Sequence, residues 1–126
     1  MKEKQDIKNR EDIELLVDTF YNNVLDDSSI AFFFTDVVAV DWDKHKPKLY
    51  DFWENMILFN PVYQGNTMGV HHEINKKHEM TKEHFDAWLG LFWKTIDELF
   101  IGEKANEAKL RAKHIASTMR FSISGD

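Results

Sequence analysis

At 126 residues the chain has the length of one domain. With 43% hydrophobic and 13% aromatic residues, ten Phe and four Trp among them, it is far too apolar for a disordered segment. A formal charge of −6 argues against partners recognised by neutralising phosphates, so nucleic acid and anionic membrane drop out as partners. The chain has no cysteine, which excludes disulfides, Cys-bound zinc, iron–sulfur clusters and every thiolate-held cofactor; a metal would need His, carboxylate or Tyr.

The leader MKEKQDIKNRED is charged throughout, and no run approaches the roughly 18 apolar residues needed to span a bilayer. A single cytoplasmic domain over 1–126 is expected, with 1–9 and 122–126 loose. From 10 to 25, Ile13, Leu16, Val17, Phe20 and Val24 recur at helical spacing behind an Asn9/Asp12 capping pair. Asp26 to Ser29 ends this helix, and the apolar run from Ile30 to Phe34 is expected to form a helical turn against the core. A second helix is expected from about 43 to 58, with Leu49, Phe52, Trp53 and Met56 on one face. Pro47 then falls near its first turn and His45 faces inward at its start.

Asn60-Pro61 breaks that helix, and Tyr63 to Val70 reads as a loop around Gly65 and Gly69. Thr81 is a natural N-cap for a third helix through Phe100, striped by Phe85, Trp88, Leu89, Phe92, Ile96 and Leu99. After Gly102 a last helix runs to about 121 on Ala105, Ala108, Ala112, Ile115, Ala116 and Met119, small residues that allow close packing. No alternating pattern of useful length is present. The fold class is therefore all-α.

Three residues with polar tips interrupt the apolar stripes: Tyr21 four after Val17, His45 four before Leu49, and Trp88 three after Phe85. Each could be a core residue with one satisfied hydrogen bond, or the three could line one pocket. Four of the six histidines fall between 71 and 84. His71, His72, Glu73, His78 and His84 could in principle ligate a metal, but their spacing matches no zinc motif, and the interleaved Lys and Glu read as a solvated loop. His78, His84 and His114 are most simply surface residues.

The ordered set of motifs carries further. It comprises Phe20-Tyr21, Trp42-x-x-His45 leading to Asp51-Phe52-Trp53, and Tyr63-x-Gly65 followed by His71. It continues with His84-Phe85-x-x-Trp88-Leu89-x-Leu91-Phe92 and closes on Arg111-Ala112-x-x-Ile115-Ala116. In this order the chain resembles the truncated haemoglobins, specifically their third group, from about Asp12 to Met119. The absence of any Gly-Gly dipeptide separates it from the other two groups. Thr67 departs from the proline usual in that segment.

The resemblance implies a shortened globin fold, a two-over-two helical sandwich around a non-covalent b-type haem. It implies His71 as the iron ligand and Tyr21, His45 and Trp88 on the opposite, distal face. Phe20, Phe34, Phe52, Trp53, Tyr63 and Met68 would then join His45 and Trp88 in lining the cofactor. Between the adjacent histidines, His71 lies eight residues after Tyr63 and continues a stripe with Met68 and Ile74, whereas His72 is followed by Asn75 and Lys76.

In such a site the second imidazole nitrogen needs an acceptor that fixes its tautomer. Several distal donors would hold a diatomic ligand too tightly for an oxygen shuttle. Chemistry on O2, NO or peroxide, of a dioxygenase- or peroxidase-like kind and fed by a separate reductase, is thus expected rather than transport. CO should bind as well. A haem-based gas sensor acting through a partner is the alternative from another class, and a helical domain without cofactor a third.

Overall fold

The computed structural model describes residues 3–33, 42–62 and 80–124, the last three by backbone alone. Four helices carry the described chain: α1 Arg10–Leu25, α2 Trp42–Leu58, α3 Lys82–Leu99 and α4 Glu103–Ser124. Among the described residues the one β feature is a parallel bridge between Gln5 and Phe100.

α1 begins where its sequence signals it, with the Asn9 side chain accepting the Asp12 N–H at 3.0 Å. Its stripe of Ile13, Leu16, Val17, Phe20, Tyr21 and Val24 is buried entirely or nearly so. α1 and α2 lie antiparallel: Arg10 on α1 reaches Asp51 at 2.7 Å and Glu54 at 3.2 Å on α2, and further along the Tyr50 hydroxyl donates to Asp18 at 2.5 Å. α3 and α4 form the second antiparallel pair. The Trp93 indole donates to the Lys109 carbonyl at 2.9 Å, and at the other end Phe85 packs with Ala116 and Met119.

The pairs stack on one another, α1 against α3 and α2 against α4. The architecture is thus the expected two-over-two sandwich. Phe20, Trp53, Phe92 and Ile96 fill the core between the layers, each no more than 2% exposed. Thr95, fully buried, donates to the Leu91 carbonyl at 2.7 Å and accepts from Asn23 at 3.0 Å, so its hydroxyl is satisfied across the α1–α3 seam.

Two local readings of the sequence need correction. Pro47 lies beyond the first turn of α2, one residue deeper than a start at 43 implies, because α2 already starts at Trp42; a ring nitrogen without a hydrogen leaves the Asp43 carbonyl with no donor from the position four residues on. The charged leader is also held rather than loose along its middle. The Ile101 N–H donates to Gln5, Ile7 is 2% exposed, and the Asp6 carboxylate accepts the backbone N–H of Lys104 at 2.9 Å and of Ala105 at 2.8 Å. Gly102 has no side chain to cap α4, and Asp6 does so from the far end of the chain.

Candidate functional site

Tyr21 is presented by the buried face of α1, one residue beyond Phe20, with its ring 4.8 Å from Phe20 in an edge-on arrangement. Burial pushes its hydroxyl pKa well above the usual phenol value, and hydrogen bonding from the Trp88 side chain opposes that shift without cancelling it. Tyr21 is therefore a neutral O–H across the physiological range. Trp88 comes from α3. Its ring meets Phe20 edge-on at 5.6 Å, lies nearly parallel to Phe92 at 5.6 Å and stacks with Trp53 of α2 at 6.3 Å. Trp53 in turn stacks on Phe92 at 4.5 Å and takes the Phe52 ring at 5.1 Å.

Of the sequence-derived site residues, Phe20, Tyr21, Phe52, Trp53 and Trp88 thus form one continuous aromatic group from three helices. His45 is half-buried and joins it through a ring the sequence reading did not assign to the site. Trp42 lies 5.3 Å from Tyr21 and 5.8 Å from His45. The signal was present in the spacing, since residues three apart on a helix share a face. The remaining assigned residues, Phe34, Tyr63, Met68 and His71, lie outside the described residues, as do Thr67, His72 and His78.

His84 departs from its expected surface role. It is half-buried, its Nδ1 accepts the Thr81 N–H at 2.9 Å, and Phe33 and Phe32 present their rings at 4.8 and 5.7 Å. An Nδ1 that accepts carries no hydrogen, so the neutral ring is the Nε2–H tautomer. His114 is exposed, as expected. Among the described residues no three His, Cys, Asp or Glu side chains are grouped to hold a metal.

A model of the family described as bacterial-like globin matches residues 5–121. Among curated proteins, the chain is 30% identical over 112 residues to the group 3 truncated hemoglobin ctb of Campylobacter jejuni, covering 86% of each chain. It is 33% identical over 92 residues to the group 1 truncated hemoglobin GlbN of Synechocystis sp., covering 72% of each. The crystal structure of the group III truncated hemoglobin from Campylobacter jejuni matches with a TM-score of 0.82 at 28% identity, over 96% of this chain and 95% of that one. The 2/2 hemoglobin from Synechococcus sp. PCC 7002, in the cyanomet state and with covalently attached heme, matches in fold with a TM-score of 0.73 at 24% identity, over 94% of each.

The chain therefore belongs to the bacterial-like globins, as a truncated haemoglobin of the third group. Haem-based gas binding goes with that membership. The described residues fit such a group. Trp42 and Trp88, both half-buried, offer flat apolar surface for a macrocycle, and Tyr21, its oxygen held by the Trp88 side chain, supplies a neutral donor suited to a small, partly charged ligand.

Proposed function

We propose that this chain binds a non-covalent b-type haem through His71 and uses Tyr21 and Trp88 to hold a small ligand on the opposite face. Its work is then chemistry on oxygen, nitric oxide or peroxide, with electrons from a separate cytoplasmic reductase, rather than oxygen transport. When bound, haem would supply a redox-active iron able to take a small ligand. The observation that carries the reading is the meeting of the Tyr21 phenol and the Trp88 indole, brought from α1 and α3 into one aromatic group. Phe20 and the Trp53–Phe92 stack hold both rings, so the donors are fixed before a ligand arrives and little ordering entropy remains to be lost.

A hydrogen bond to a partly charged acceptor contributes about 1.5–3 kcal/mol, enough to slow ligand escape by roughly 10- to 150-fold. The test is the oxygen dissociation rate of the reduced haem form by stopped flow. Tyr21→Phe and Trp88→Phe are each expected to change it several-fold or more. If both variants stay within twofold of the parent, the distal role given to these residues is wrong. Acid–organic extraction tests the mode of attachment: a non-covalent haem leaves the protein, and a covalent one stays with it.

A further inference from the structure

Trp42 opens α2 and packs against two other rings. Tyr21 approaches at 5.3 Å, tilted by 55°, and His45 at 5.8 Å with its plane at 66° to the indole. Among the described ring contacts, one route from Tyr21 to His45 runs through Trp42. Tyr21 is thereby flanked by Phe20 on its own helix and by Trp42 from the facing one, which restricts the swing of the phenol and the direction of its O–H. His45 sits on a turn whose backbone ladder is interrupted, since Pro47 gives the Asp43 carbonyl no N–H. In that turn side-chain packing must do more of the work of fixing the imidazole. An ion pair of Lys46 with Asp18 at 3.3 Å ties the turn to α1.

We propose that Trp42 is a positioning residue that couples Tyr21 to His45, so that a change at His45 reaches Tyr21 through the indole ring that touches both. The inference rests on the distal role given to Tyr21 above. It predicts a specific failure of additivity, since residues coupled through a shared packed side chain do not respond independently.

The test uses the haem-loaded protein with carbon monoxide and reads the C–O stretching band, which reports the donors facing the ligand rather than turnover. Tyr21→Phe is the reference and is expected to move the band. His45→Ala should move it in the parent and leave it unmoved in the Trp42→Ala background. Trp42→Ala should itself shift or broaden the band and raise the oxygen dissociation rate by at least about twofold, and Trp42→Phe should restore both. If Trp42→Ala does not retain haem, Trp42→Leu serves in the same cycle.

The proposal is overturned if Tyr21→Phe moves the band while loss of the Trp42 ring does not. It is equally overturned if His45→Ala shifts the band alike with and without that ring. If Tyr21→Phe itself leaves the band in place, the distal reading falls first and the coupling with it.

Discussion

Asp6 offers the clearest test of how the fold is closed. Its carboxylate accepts the Lys104, Ala105 and Ile7 N–H groups at 2.8 to 2.9 Å, and the first two are otherwise orphan donors of the α4 N-terminus. Removing a side-chain cap costs about 0.5–2 kcal/mol, and the charge on this one places Asp6→Ala toward the upper end. At this chain length 1 kcal/mol corresponds to roughly 4 °C in Tm, so a loss of about 4–8 °C is expected. Burial raises the Asp6 pKa, but the backbone donors of Lys104, Ala105 and Ile7, with the Lys104 charge, outweigh it and hold the folded value below the usual 3.8.

A depressed folded pKa means that the stabilisation is complete above the unfolded value and is lost as pH falls through the folded one. Urea titrations should therefore show a parent-minus-Asp6→Ala difference that is constant from pH 7 down to about 5 and shrinks below 3.8. Gly102 supplies the second arm. It has φ +141°, and a Cβ there would stand 2.5 Å from the Asp6 Cγ, so Gly102→Ala both strains the backbone and displaces the cap. The double variant should lose less than the two single losses combined. Full additivity, or an Asp6→Ala difference that does not change down to pH 3, would refute the capping argument.

Three further outcomes are expected. Phe59 has φ +62° and an exposed ring under Lys104 Nζ at 4.4 Å and the Arg111 guanidinium at 4.8 Å, so Phe59→Ala keeps the strain while losing both cation contacts, at about 0.5–1 kcal/mol each. Phe59→Gly, relieved of about 1 kcal/mol of strain, should unfold at higher urea than the Ala variant; the reverse order would contradict this account. Thr95→Val should cost about 1–2 kcal/mol by removing the buried hydroxyl between Asn23 and Leu91, and Asn23→Ala in that background should add little, as read by thermal unfolding. From the sequence, His71→Gly should lose haem retention and regain part of it with added imidazole, whereas His72→Ala keeps the parent absorption spectrum; the opposite pattern would shift the register of the whole loop.

The helices were legible because each lays one apolar stripe on a common core. α1 begins and ends where Asn9 and Asp26 say it should, and the small-residue stripe of α4 packs as its alanines imply. What the pattern cannot carry is a partner far along the chain. Asp6 looks like one charge among many in the leader, and its use shows only indirectly, in a helix that starts behind Gly102 with no capping side chain of its own. His84 was hidden in the same way by its Lys and Glu neighbours. At the candidate site, spacing showed that Tyr21, His45 and Trp88 each face inward. That Tyr21 and Trp88 meet, and that Trp42 touches both Tyr21 and His45, are facts of how three helices cross.

Among the described residues, Trp88 and Ile115 each pack against two apolar clusters. One is the main core around Phe20, Trp53 and Phe92; the other is a smaller group of Phe85, Ala116 and Met119 at the far end of the α3–α4 pair. Clusters joined by so few side chains tend to open separately, as local unfolding units of different free energy. The indole is then a mechanical link as well as a donor. Its truncation to Ala, which leaves Ile115 to join the clusters, would let the outer ends of α3 and α4 exchange their amide hydrogens more readily than the inner layers, whereas Phe would keep the two units joined. A ligand held against Trp88 would brace that joint, so the outer end of the α3–α4 pair should become more protected when the site is filled, with no change in the average position of either helix.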